Sequence, residues 1–273
     1  MRLLFLGDII GRSGREVAER HVPNLRKLLK LDVVVVNGEN AAAGFGITGQ
    51  ICQAFYQLGV DVITTGNHIW DQKETLSGIQ KDPRLIRPAN FPLGTPGKGS
   101  YIHQTSKGDR ILVINVMGRL YMETLDDPFA AVEKELSAHR LGGSVAAIMV
   151  DFHAEASSEK MAMGHYLDGR VSAVVGTHTH VPTADAQILP GGTAYQTDAG
   201  MCGDYNSVIG MDKTAPIQRF TKKLPTDRLT PALGQGTLCG VFIETDPTTG
   251  LAKIIQPVRL DGRLQNTDLQ AIL

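Results

Sequence analysis

Cysteine is scarce in this chain. Cys52, Cys202 and Cys239 are the only 3 in 273 residues, an odd set with no paired spacing. That excludes a disulfide framework and a zinc ribbon, and buried free thiols in a reducing cytosol are expected instead. An excess of either charge is also missing: 27 Lys and Arg stand against 28 Asp and Glu, for a formal net charge of -1. Duplex nucleic acid and an anionic membrane are therefore excluded as main partners, while a small anion whose charge is met locally by metal ions remains open. No uninterrupted apolar run reaches the roughly 18 residues of a membrane helix. The first residues, Met1 to Asp8, carry too short an apolar run for a signal peptide and no small-residue cleavage site. A soluble, cytoplasmic protein is expected. Internal repeats and low-complexity linkers are absent too, so a single domain over 1–273 is expected, with 71–130 as a candidate small cap.

What is present is an apolar fraction of 42%, enough for a sizeable core, arranged in short runs that stop at polar residues. Leu3 to Leu6 reads as a buried strand ending at Gly7-Asp8. Ser13 and Glu16 fit a capping box opening a helix to about Lys30, with Val17, Leu25, Leu28 and Leu29 on its apolar face and a kink or break at Pro23. Four valines, Val33 to Val36, make a buried parallel strand that ends in Asn37-Gly38-Glu39-Asn40. Ile51, Phe55 and Leu58 mark a second helix, and Val62 to Thr65 a third strand ending in Gly66-Asn67-His68. The strand–helix alternation places those ends side by side on one sheet edge.

The middle is less regular. Pro83, Pro88, Pro92 and Pro96 interrupt 71–99; Tyr101 to Gln104 and Ile111 to Val116 read as strands; Pro128 opens a helix to about Arg140. The pattern then resumes with Val145 to Val150 ahead of Asp151-Phe152-His153-Ala154-Glu155, and a helix capped by Ser157 or Ser158 through Leu167. Val171 to Val175 delivers Gly176-Thr177-His178-Thr179-His180, Ala194 to Thr197 leads into Asp198, and Val241 to Glu244 pairs with Lys253 to Val258 as a terminal hairpin.

Seven side chains at strand ends are candidate metal ligands: Asp8, Glu39, Asn40, Asn67, His153, His178 and His180. Each has a plainer reading taken alone. Asp8 could cap a helix, Asn67 could sit in a turn, Glu39 could be a solvated carboxylate, and His153 a satisfied core histidine. Taken together they supply oxygen and nitrogen donors without thiolate, which suits Mn, Fe, Zn or Ni. They are too many for one ion and suit two, about 3.5–4 Å apart, sharing a carboxylate. Asp151, Glu155 and Asp198 are either partners that orient the imidazoles or ordinary loop charges. His21, His103, His139 and His165 fit no such position.

The order Asp8, Gly66-Asn67-His68, His153 and Gly176-Thr177-His178-Thr179-His180 resembles the calcineurin-like metallophosphoesterase superfamily. Gly7-Asp8-Ile9-Ile10-Gly11, Asn37-Gly38-Glu39-Asn40, the run from Asp151 to Lys160 and that from Ala194 to Gly200 are similar to its YmdB-like branch, bacterial phosphodiesterases acting on cyclic nucleotides. The similarity covers nearly the whole chain. It implies an α/β fold of the metallophosphoesterase-type α/β/β/α sandwich: two mixed sheets flanked by helices, with the metal site at strand C-terminal ends. Ile10 stands where the superfamily usually has a histidine, and Glu39 where it has a bridging Asp; both departures are shared with the branch.

The resemblance assigns Asp8, Glu39, Asn40 and His180 to a first ion and Glu39, Asn67, His153 and His178 to a second, both divalent or trivalent transition metals, with Fe or Mn expected. It implies hydrolysis of 2′,3′- or 3′,5′-cyclic nucleotides such as cAMP by metal-bridged hydroxide, with His68 as general acid, in a homo-oligomer. His68 could instead be a hydrogen-bonded structural histidine. A phosphomonoesterase, nucleotidase or phosphoprotein phosphatase is the enzymatic alternative, and a metal-dependent nucleotide-sensing regulator the non-enzymatic one. Phe45, Tyr121 or Phe129 could stack a base or serve core packing.

Overall fold

The computed structural model describes residues 1–272. Its strands, in chain order, are β1 (Arg2–Leu6), β2 (Asp8–Ile9), β3 (Val33–Asn37), β4 (Val62–Thr64), β5 (Ser100–Gln104), β6 (Arg110–Met117), β7 (Ala147–His153), β8 (Ala173–Thr177), β9 (Gln187–Ile188), β10 (Ala194–Gln196), β11 (Met201–Cys202), β12 (Leu238–Thr245) and β13 (Ala252–Leu260). The helices are α1 (Gly11–Leu28), α2 (Gly49–Gln57), α3 (Lys73–Gly78), α4 (Pro128–Ser137), α5 (Ser157–Tyr166) and α6 (Thr214–Lys222), with a short 3₁₀ turn at Leu269–Ile272.

Two mixed sheets result, in the orders β13-β12-β1-β3-β4 and β5-β6-β7-β8-β10-β9, beside a separate small pair β11-β2. Side chains alternate across each strand, and here both faces are apolar. In the first sheet Leu3, Phe5, Val33, Val35, Val241 and Ile243 point inward to meet Ile111, Val113, Ala147, Met149, Ala173 and Val175 of the second. The alternate residues Leu4, Leu6, Val34 and Val36 pack outward with Val17, Val22 and Leu25 of α1 and Phe55 of α2. On the other sheet Leu112, Ile114, Ile148 and Val150 pack outward with Val132 of α4 and Met163 of α5. Three apolar layers therefore hold a helix–sheet–sheet–helix stack. Fully burying a Val, Leu or Ile side chain contributes about 1.5–3 kcal/mol, so the inner layer alone is a major stabilising term.

Several local expectations are corrected. Ser13 does not cap α1. The helix begins at Gly11 after Ile10, and Ser13 Oγ donates instead to the carbonyls of Ala232 or Gly234, while Glu16 pairs with Arg12. Pro23 neither breaks nor splits α1, which runs on to Leu28, and Leu28 is exposed rather than on the buried face. Neither Ser157 nor Ser158 caps α5; Ala156 occupies that place. Asp127, by contrast, caps α4 by accepting from the amides of Phe129 and Ala130. β7 extends through His153, so Asp151 lies inside a strand rather than beyond its end. Within 71–130, β5 and β6 are strands of the six-stranded sheet, α4 opens at Pro128, and the rest is α3 and irregular chain. Helix α6 lies where the sequence pattern gives no helix signal. The three cysteines are free and buried, as expected. Among the described residues no helix is long and apolar enough to cross a membrane.

Candidate metal centre

The parallel strands β1, β3 and β4 of one sheet and β7 and β8 of the other finish at the same rim. Asp8 follows β1, Glu39 and Asn40 follow β3, and Asn67 and His68 follow β4; His153 closes β7, and His178 and His180 follow β8. The structure brings Asp8, Glu39, Asn67, His153, His178 and His180 together, with Asn40 next to Glu39 in the chain and His68 next to Asn67. Glu39, His153 and His178 place donor atoms within 4.8 Å of one another, and so do Asp8, Glu39 and His180. Glu39 belongs to both groups. Asn67 joins the first, its Oδ1 2.9 Å from His153 Nε2.

These groups have almost no contact with water: Asp8, Glu39, Asn40 and His153 are at most 1% exposed. A buried carboxylate ordinarily has its oxygens satisfied. Here Asp8 Oδ1, Glu39 Oε1 and Asn40 Oδ1 have no hydrogen-bond partner. Glu39 Oε1 lies 3.2 Å from His153 Nε2 but out of line for a hydrogen bond. Buried oxygens left without a partner, two of them on carboxylates that share a donor group, are what a cation site requires.

The imidazoles satisfy the complementary test, because each has one ring nitrogen anchored and the other left toward the cluster. His153 Nδ1 donates to Thr177 Oγ1 at 2.9 Å, and that hydroxyl donates onward to Asp151 at 2.7 Å. This fixes His153 with Nε2 toward Glu39. His180 Nδ1 donates to the Ile209 carbonyl at 2.8 Å, leaving Nε2. His178 Nε2 lies 3.2 Å from Glu155, leaving Nδ1, which approaches His153 Nε2 at 3.1 Å. The donor set therefore fits metal binding, with Glu39 common to both donor groups.

Electrostatics agree. Burial opposes charge on Glu39, but His153, and after it His68 and His178, hold its carboxyl down at about 2. Burial likewise opposes charge on His153, yet Glu39, Asp8 and Asp151 lift it to about 9. Burial and the neighbouring His153 charge push His178 down to about 3. Asp8 is raised, chiefly by burial and then by Glu39 and Asp198 against the pull of His180 and His153. Asp151 is raised to about 7 by burial, against the hydrogen bonds of Thr64 and Thr177. In the metal-free protein near neutral pH a proton on His153 thus stands in for a cation. A cation taken up by His153 would have to expel it, so apparent affinity for a divalent cation such as Mn²⁺ is expected to climb as pH rises toward 9. Calorimetry at pH 7 in two buffers of different ionisation heat should register at least one released proton; identical heats in both would contradict this account.

The turn carrying His178 and His180 is unusual, because these non-glycine residues have φ of 97° and 65°. Such angles cost of order 1–3 kcal/mol each and persist only where surroundings enforce them. Gly66 is needed for a different reason: a β-carbon there would collide with Glu39 Oε2 and the His153 ring.

His68 sits beside this cluster. Its backbone N–H donates to Glu39 Oε2 at 3.3 Å, and its Nδ1 lies 2.8 Å from Asp71 Oδ2. Phe45 meets the His68 ring edge to face, with centroids 5.2 Å apart. Of the other aromatic candidates, Phe129 packs against Tyr166 and the outer core, and Tyr121 is exposed. Asp151, Glu155 and Asp198 each contact the site's support rather than lying free in loops. Reading the sequence missed Asp71, Thr177, the Ile209 carbonyl and Asn37, whose Oδ1 accepts from the Glu39 N–H at 3.1 Å and whose Nδ2 donates to Asp151 at 3.0 Å. Only Asp71, three residues after His68, carried a local signal.

Two facing mixed sheets between helices, with carboxylate, amide and imidazole donors at the strand ends, define an α/β protein of the metallophosphoesterase type. The chain belongs to the YmdB-like family, whose model matches residues 4–258. A 2′,3′-cyclic-nucleotide 2′-phosphodiesterase of Bacillus subtilis is 48% identical over 262 residues, covering 96% of this chain and 97% of that protein. Among solved structures, a hypothetical protein from Thermus thermophilus superposes with a TM-score of 0.89 at 40% identity, covering 96% of this chain and 100% of that one. A novel phosphatase from Mycoplasma pneumoniae superposes with a TM-score of 0.88 at 31% identity, covering 100% of this chain and 99% of that one.

Proposed function

We propose that this protein is a dinuclear-metal phosphodiesterase that opens cyclic nucleotides, 2′,3′-cyclic ones foremost. The observation that carries the reading is the sharing of buried Glu39 by two donor groups directly beside His68. Asp8, Glu39, Asn40 and His180 would hold one cation, and Glu39, Asn67, His153 and His178 the other. Oxygen and imidazole donors without thiolate suit Mn or Fe. When bound, two such cations lower the pKa of water and offset the charge that builds on phosphoryl oxygens.

The remaining chemistry belongs to the chain. A sugar alkoxide is a poor leaving group unless it is protonated. In a cyclic diester it also stays tethered beside the phosphorus and can re-close the ring. His68 answers both needs. Asp71 accepts from its Nδ1–H, which orients the ring and leaves Nε2 to carry the proton delivered to the departing oxygen. The bond from its backbone N–H ties this acid to Glu39. Phe45 covers one side of the ring. The Bacillus relative is named for cleavage at the 2′ position, and the same bond is the expected one here.

The test is a substrate panel with Mn²⁺-loaded protein. The expected result is hydrolysis of 2′,3′-cAMP to a 3′-monoester that accumulates without releasing inorganic phosphate. Preference for p-nitrophenyl phosphate over the diester would make the protein a phosphomonoesterase. Nucleotide binding without turnover above a Glu39→Gln control would make it a sensor.

A further inference from the structure

Lys160 and Asp198 form an ion pair with almost no access to water: Lys160 Nζ lies 2.8 Å from Asp198 Oδ2, and the two side chains are 1% and 0% exposed. Lysine is almost never buried so completely unless it is paired. Replacing such a pair by apolar side chains is often neutral or stabilising, so stability is a weak reason to keep it. Its other contacts suggest a better one. Asp198 Oδ2 also accepts from the backbone N–H of Thr179 at 3.0 Å and from its hydroxyl at 2.7 Å, while Oδ1 accepts from Gly200 N–H at 2.8 Å. Thr179 is the residue between His178 and His180, the two that adopt left-handed backbone. A β-carbon at Gly176 would collide with the Thr197 carbonyl and crowd the Lys160 stem, so the lysine threads directly beneath the end of β8.

We propose that the buried Lys160–Asp198 pair is a positioning device that grips Thr179 and thereby sets the two imidazoles on either side of it toward separate cations. Lys160, arriving from α5, fixes the carboxylate; the carboxylate fixes Thr179; and the turn presents His178 to one donor group and His180 to the other. This inference rests on the dinuclear reading above. It assigns Lys160, Asp198 and Thr179 no contact with substrate.

The test measures Mn²⁺ binding by equilibrium dialysis, at a temperature where circular dichroism shows each variant folded. Thr179→Val removes only the hydroxyl bond and is expected to weaken Mn²⁺ binding several-fold; Thr179→Ser keeps the hydroxyl and is expected to restore it. Asp198→Asn is expected to weaken binding by about 10–100-fold, the range for losing an outer partner of a metal ligand. Wild-type affinity in both Thr179→Val and Asp198→Asn would overturn the inference. Should Asp198→Asn not fold, the Thr179 pair decides alone: equal affinities for Val and Ser overturn it, and loss with rescue supports it. Wild-type protein that binds no Mn²⁺ would instead overturn the dinuclear reading itself.

Discussion

Glu39→Gln is expected to lower kcat/KM on 2′,3′-cAMP by about 10³-fold or more, which at 1.36 kcal/mol per decade is about 4 kcal/mol of transition-state stabilisation. The substitution keeps the shape of the side chain and removes its charge. Loss of a single preorganised hydrogen-bond donor elsewhere costs about 10²–10³ in rate. Glu39 belongs to both donor groups at once, so its loss is expected to exceed that range. The charge also matters without metal, because Glu39 is the main opposite charge keeping His153 protonated. In the variant His153 can shed that proton, so the metal-free protein should lose less stability than the roughly 3–5 kcal/mol typical of breaking a buried pair. A large activity loss with modest change in Tm is the expected combination. Activity within tenfold of wild type would remove Glu39 from its central place.

His68→Ala is expected to cost about 10²–10⁴ in kcat on 2′,3′-cAMP, the usual worth of a positioned acid. The informative control is the leaving group. p-Nitrophenolate departs without a proton, so bis-p-nitrophenyl phosphate should be hydrolysed nearly as fast by the variant as by wild type. An equal loss on both substrates would make His68 a binding or structural residue. The contact with Asp71 makes a secondary outcome checkable: Asp71→Asn, which weakens the grip on Nδ1, should show the same leaving-group dependence at smaller amplitude.

Much of this site was legible because apolar runs ending at polar residues mark strand ends, and parallel strands place their ends together. Asp8, Glu39, Asn67, His153, His178 and His180 all follow that rule. The division into two sheets was not legible from periodicity. Val33 to Val36 is buried on both faces, so its run shows no alternation to say which layer it joins, and the sandwich rested on resemblance. Caps failed where tertiary partners competed: Ser13 had the right spacing for a capping box, but its hydroxyl is claimed by carbonyls more than 200 residues away. The burial of Lys160, which closes the run from Asp151 that resembles the branch, was not legible because a helical lysine reads as solvated until its buried partner, 38 residues on, is known. Thr177 and Ile209 act through a hydroxyl and a backbone carbonyl, groups that every chain has in abundance.

The central claim is that Glu39 joins two cation sites, and metal stoichiometry tests it most directly. Protein purified without chelator, loaded with Mn²⁺ and crystallised, should show two anomalous scattering peaks per chain, one among Asp8, Asn40 and His180 and the other among Asn67, His153 and His178, with Glu39 touching both. A single peak, or none at saturating Mn²⁺, would contradict the account.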